Sequence, residues 1–165
     1  MKYAKMEYNN LTNLNLRSVI SHMANLSQTG FAAELFVAAE LTKQGHVVTI
    51  TFGNEKAIDI LAAQAGNPRN TISIDVKGLA NPAPWALGDY ANKKKHPDVY
   101  VFCYLNKPSE RPHYFIVPKK NVDQLIGFAI NNRSAWINFR ELGPYRDRWD
   151  LVWINGEKSG RETDG

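Results

Sequence analysis

The hydrophobic positions along the chain switch between two periods. Leu16, Val19, Ile20 and Met23 recur at i, i+3, i+4 and i+7, which predicts a first helix over about 12–25. Ser27, Thr29 and Gly30 punctuate the chain. Phe31–Gln44, rich in Ala, Leu and Glu and followed by Gly45, then predicts a second helix with a C-terminal glycine. The spacing leaves open whether these are two helices or one bent unit. Three strand-like runs follow: β-branched His46–Phe52 before Gly53-Asn54, Ala57–Gln64 before Gly66-Asn67-Pro68, and the alternating Thr71–Gly78. Asn81-Pro82-Ala83-Pro84 breaks regular structure, and Trp85–Lys95 is expected to hold a short helix. Val99–Leu105 is apolar on both faces and predicts a central strand, and His113–Val117 predicts another, ended by Pro118. Val122, Leu125, Ile126 and Ala129 predict a helix before Asn131-Asn132. Ser134–Ile154 carries Trp136, Trp149 and Trp153 and is expected to wrap back onto the core, without a pattern that assigns its local structure.

Helix, three strands, a helical crossover, two strands and a helix describe an α/β (α+β) domain built around a mixed sheet. With 165 residues and no internal repeat, the expectation is one domain over 1–155 and a disordered polar tail over 156–165. Hydrophobic residues are 44% and charged residues 22% of the chain, the balance of an ordinary globular protein able to bury a core without a staple. The single cysteine, Cys103, lies in an apolar run, so no intramolecular disulfide forms and a small buried core residue is expected. No run approaches the roughly 18 apolar residues of a membrane span, and Met1–Asn10 is polar, without a signal-peptide core. These features together lead us to expect a soluble, cytoplasmic protein. The formal charge of +4 suits a nucleic-acid partner but is shared by many unrelated proteins.

The chemistry concentrates in the second and third strands. Alternation puts Ile72, Ile74 and Val76 on one face of the third strand and Ser73, Asp75 and Lys77 on the other. Asp59 is the one charge in Ala57-Ile58-Asp59-Ile60-Leu61-Ala62. The short connection predicts a hairpin between the two strands, so Asp59 and Asp75 can converge, with the register left open. Two carboxylates and an ammonium at a strand end suit a hard divalent cation such as Mg²⁺, held with waters and phosphate oxygens. The lysine is placed to position a water or offset phosphate charge. On the predicted helix Glu34 falls inside the apolar arc of Phe31, Val37, Ala38 and Leu41, where a carboxylate is costly unless paired or metal-bound. A buried ion pair with Arg17 or Lys77 is the plainer alternative for Glu34.

Glu34 on an N-terminal helix, then Asp59, then Asp75-Val76-Lys77 resembles the PD-(D/E)xK nuclease superfamily, which includes restriction endonucleases and Holliday-junction resolvases. The resemblance covers about Gly30–Gly78 and, as element order, extends to Leu105. Gly30-Phe31-Ala32-Ala33-Glu34-Leu35 is similar to the helix carrying the family's accessory glutamate. Ile58-Asp59 stands where the family often has Pro-Asp, without the proline. The resemblance implies a restriction endonuclease-like core and a DNA endonuclease that hydrolyses phosphodiesters through water activated by Mg²⁺, or by Mn²⁺ in its place. It implies Asp59, Asp75 and the Val76 carbonyl as metal ligands and Lys77 as a catalytic residue. Glu34 would ligate a second metal or orient the ligands of the first. Cutting two strands with one site per chain further implies a homodimer or larger assembly.

Lys93-Lys94-Lys95 could grip phosphates, as could Lys119-Lys120 in a more diffuse set with Arg133, Arg140, Arg146 and Arg148. A solvated loop is the commoner role of such a run. The histidines are too scattered for a zinc site, and no phosphate-binding glycine loop is present. Two other functions fit the same residues: a DNA-binding or partner-binding module without catalysis, and an RNA-directed nuclease.

Overall fold

The computed structural model describes residues 27–51, 58–128 and 134–153. The predicted helix over 12–25 and the tail over 156–165 lie outside the described residues, as do Arg17 and Arg133. Residues 27–43 form a helix, α1, so Ser27, Thr29 and Gly30, expected to precede it, lie in its first turn. Gly45 closes it at φ +87°, a conformation open to glycine, with the His46 N–H donating to the Leu41 carbonyl at 3.2 Å.

A five-stranded mixed sheet follows, formed by β1 (Val47–Ile50), β2 (Ile60–Gln64), β3 (Asn67–Leu79), β5 (Val99–Tyr104) and β6 (His113–Pro118), in the order β1-β2-β3-β5-β6. β1, β2 and β3 pair antiparallel, β3 and β5 parallel, β5 and β6 antiparallel. The expected hairpin between the second and third strands is present, and its register sets Ile60 opposite Ile74. β5 is interior, and its residues from Val99 to Cys103 are buried, as expected of a strand apolar on both faces.

The two faces of β5 open onto two cores. Val99, Val101 and Cys103 join Ile60, Ile72, Ile74 and Val76 beneath Ala33, Val37 and Leu41 of α1. Tyr100 and Phe102 join Trp85, Tyr90, Phe115, Val117 and Ile137 on the other side. This alternation buries β5 on both faces, whereas β1 and β2 expose one face, with Val47 and Leu61 open to solvent. Cys103 is the small buried residue expected from its run.

The segment Trp85–Lys95 is not helical. Trp85–Gly88 is a strand, β4, in a three-stranded sheet with β7 (Gly127–Phe128) and β8 (Ala135–Ile137), and turns follow it. Trp85 and Leu87 are buried while Ala86 and Gly88 are exposed, a period of two that a four-residue strand is too short to advertise. The helix expected through Val122, Leu125 and Ile126 is shorter: α2 (Lys119–Leu125) follows Pro118, buries Val122 and stops at Ile126, which is extended and leads into β7, while Ala129 lies outside the described residues. Two 3-10 turns, Phe139–Tyr145 and Trp149–Trp153, bring the aromatic C-terminal segment onto the core, with Leu142 and Val152 buried. Among the described residues no helix is long and apolar enough to cross a membrane.

Candidate active site

The end of β3 is held from three sides. Asp98, just before β5, accepts from the Ser73 backbone N–H at 2.8 Å and from the Ser73 hydroxyl at 2.7 Å, which pins the parallel register two residues before Asp75. Trp85 donates its indole N–H to the Lys77 carbonyl at 2.9 Å. On the α1 side, a Cβ placed on Gly78 would meet the Ala33 Cβ at 2.7 Å, so only glycine lets the helix approach this closely.

Those constraints aim the charged residues. Ile74 and Val76 enter the core beneath α1, so Asp75 and Lys77 project from the opposite face, toward Tyr100. Asp59 immediately precedes β2. Its N–H donates to the Ile74 carbonyl at 2.9 Å, and its carboxylate accepts the Val76 N–H at 2.6 Å. The expected convergence of Asp59 and Asp75 is therefore present. Val76, whose carbonyl was an expected metal ligand, anchors Asp59 through its N–H.

Asp75 is the one buried charged residue among those described, at 1% exposure. Burying a carboxylate costs several kcal/mol unless it is compensated. Lys77 Nζ lies against Oδ1 and Lys93 Nζ donates to Oδ2 at 2.8 Å. Oδ1 has no hydrogen-bond partner of suitable geometry; Lys77 meets it as an ion pair only.

Glu34 and Asp59 are under-compensated. Burial pushes the Glu34 carboxyl above its usual range, and the nearby Asp59 adds to the rise, with Lys77 opposing it. Asp59 is also raised, first by burial; its hydrogen bond from Val76 opposes this and Asp75 reinforces it. Glu34 thus belongs to the same electrostatic cluster, from a helix whose apolar arc is narrower than expected, since Phe31 is exposed.

Three carboxylates (Glu34, Asp59, Asp75) against two ammonium groups (Lys77, Lys93) leave one formal negative charge. A hard divalent cation would suit these oxygen donors, because the carboxylates repel one another and outnumber the ammonium groups beside them. No group of three His, Cys, Asp or Glu side chains among the described residues already surrounds one point, so waters and phosphate oxygens would complete the coordination.

The basic run divides. Lys93 turns inward, its ammonium 5.6 Å from the Tyr100 ring centroid, while Lys94 and Lys95 are exposed. The sequence offered Lys93 as a phosphate contact or part of a solvated loop and gave no sign of its place beside Asp75. No pattern in three adjacent lysines distinguishes the first, and the decision rests on the turn in which the Lys93 N–H donates to the Tyr90 carbonyl at 3.3 Å. Trp85, also missed, gave no signal beyond its type. Lys119 pairs with Asp123 at 2.7 Å and Lys120 is exposed. Arg146 and Arg148 face Asp147 and Asp150, so the second basic set is partly neutralised. A cavity of about 490 Å³ between Pro82–Pro84 and Asn138–Glu141 is lined by none of the clustered acids or lysines.

No protein-family model, curated protein or solved structure matches the chain.

Proposed function

We propose that this chain is a metal-dependent phosphodiesterase acting on DNA, with a restriction endonuclease-like core of the PD-(D/E)xK type. The observation that carries the reading is the convergence of Asp59, Asp75 and Lys77 on one end of the β2–β3 hairpin, with Asp75 buried. Asp59 and Asp75 would hold Mg²⁺ or Mn²⁺, and Glu34 would add negative charge from the helix side. When bound, the cation supplies Lewis-acid activation of water and neutralises charge at the phosphate. Lys77, tied to Asp75 and fixed through its carbonyl by Trp85, is positioned to orient the attacking water and to offset negative charge as the phosphoryl oxygens develop it. A homodimer would bring two such sites to the two strands of a duplex.

Single-turnover cleavage of plasmid DNA across a Mg²⁺ titration tests this reading. Asp75→Ala and Asp59→Ala should abolish cleavage and spare DNA binding, because removing a carboxylate relieves repulsion with phosphate. Lys77→Ala should slow the chemical step with metal affinity largely intact, and Glu34→Gln should raise the Mg²⁺ requirement. Wild-type rates in both Asp75→Ala and Lys77→Ala would dismiss the site.

A second reading has its own observation. Asp75 is already met by two lysines, as in a structural ion-pair network, which suits a binding module without catalysis. That module would bind DNA equally with and without divalent metal and would cut under neither condition. Competition between duplex DNA and RNA separates the RNA-directed alternative.

A further inference from the structure

Asp75 carries an ammonium on each oxygen, and the two lysines are not equivalent. Lys77 lies two residues along the same strand, so its contact with Oδ1 follows from β alternation. Lys93 comes from the turn between β4 and β5, eighteen residues away, and makes the hydrogen bond that Oδ2 receives. The turn that delivers it is anchored on both sides. Before it, the Tyr90 hydroxyl donates to Asp123 at 2.8 Å. After it, His96 Nδ1 lies 3.1 Å from the Tyr100 hydroxyl, and the Tyr90 and His96 rings stand 4.4 Å apart. Of three successive lysines this frame turns only the first inward.

We infer that Lys93 is a positioning residue that stands in for the divalent cation: it holds Asp75 while the metal is absent and gives up Oδ2 when the metal binds. The inference rests on the metal-dependent reading of this site. Its physical basis is competition for one carboxylate. Lys77 compensates only Oδ1 of the buried Asp75, so Oδ2 needs a cation of its own in a poorly solvated place. A divalent ion coordinated by Asp75 would stand within a few ångströms of the Lys93 ammonium, where like charges repel. The lysine has a flexible four-carbon stem and can withdraw without moving its backbone, whereas Asp75 is fixed in the sheet. Lys93 therefore keeps the site folded when empty and, by the same contact, weakens its hold on metal. Once released, its ammonium is free for a phosphate oxygen of the substrate.

Two measurements test the inference without an activity assay. In the first, Mn²⁺ binding is followed by calorimetry in wild type, Lys93→Met, Lys93→Gln, Lys94→Met and Asp75→Asn. Losing the competing ammonium should tighten Mn²⁺ binding about tenfold or more in both Lys93 variants. Lys94→Met should match wild type, and Asp75→Asn should lose binding. Equal or weaker binding in the Lys93 variants would overturn the inference and leave the metal-site reading standing. Absence of Mn²⁺ binding in wild type and all variants would overturn the metal-site reading, and the inference with it. The second measurement uses wild-type protein alone, so it survives any failure of the variants to fold. Amine-reactive ester labelling with peptide mapping should find Lys93 protected without metal and labelled several-fold faster at saturating Mg²⁺, with Lys94 and Lys95 unchanged. Lys93 labelling that ignores Mg²⁺ would overturn the proposal.

Discussion

Gly78 at the end of β3 and Ala33 on α1 approach so closely that a Cβ on the glycine would stand 2.7 Å from the alanine Cβ and 2.8 Å from the Thr29 carbonyl oxygen. The helix that carries Glu34 is thereby seated on the strand that carries Asp75 and Lys77. Gly78→Ala forces backbone apart, since one of the two obstructing atoms belongs to the main chain. We expect a loss of about 1–3 kcal/mol, read from urea unfolding, together with a higher Mg²⁺ requirement as Glu34 moves outward.

Trp85 gives a separable test of positioning. Trp85→Phe keeps an aromatic ring in the second core but removes the N–H that binds the Lys77 carbonyl. The expected cost is about 1 kcal/mol of stability. On the proposed role of Lys77 in the chemical step, single-turnover cleavage should slow while Mn²⁺ affinity, measured by calorimetry, stays near wild type.

His46 makes stability depend on pH. Its Nδ1 accepts from the Ala65 N–H at 3.0 Å and its Nε2 faces the Trp153 indole N–H at 3.2 Å. A neutral imidazole satisfies one such donor at a time, and the protonated ring, a donor at both nitrogens, satisfies neither. Burial holds the His46 imidazole below its ordinary value of 6.5. The unfolded chain therefore takes up the proton first. The contribution is complete above the unfolded value and is lost as pH falls through the lowered folded value. Thermal unfolding between about pH 7.5 and about pH 5 should show a steeper loss in wild type than in His46→Asn, where nothing titrates at this position.

Cys103 should be chemically silent in the folded protein. Burial pushes its thiol up to about 12, and the side chain is fully enclosed. Iodoacetamide at mildly alkaline pH should leave native protein unmodified and alkylate it fully in denaturant, as read by intact mass.

If the chain binds DNA, the exposed lysines rather than Lys93 should carry its salt dependence when no divalent metal is present. Lys94, Lys95 and Lys120 are exposed. Replacing all three by Ala should weaken binding across sequences and flatten the slope of log K against log salt by roughly 0.9 per lost phosphate contact. An unchanged slope would return these residues to the role of a solvated loop.

The sequence by itself determined the elements whose residues repeat long enough to declare a period. α1 with its closing Gly45, the β2–β3 hairpin, and the doubly apolar β5 and His113–Pro118 all follow from local pattern. So does the pairing of Asp75 with Lys77 on one face, because two-residue alternation is a property of any strand. The tertiary structure decided what depends on contacts between segments distant in the chain. β4 is four residues long and takes its conformation from Ala135–Ile137, with which it pairs, so no local signal separates it from a short helix. The register of Asp59 against Val76 is one of several that a hairpin allows, and the hydrogen bond between them selects it. Lys93 is the plainest case: three identical neighbours carry identical local information, and the anchored turn between Tyr90 and His96 directs one of them at a buried carboxylate.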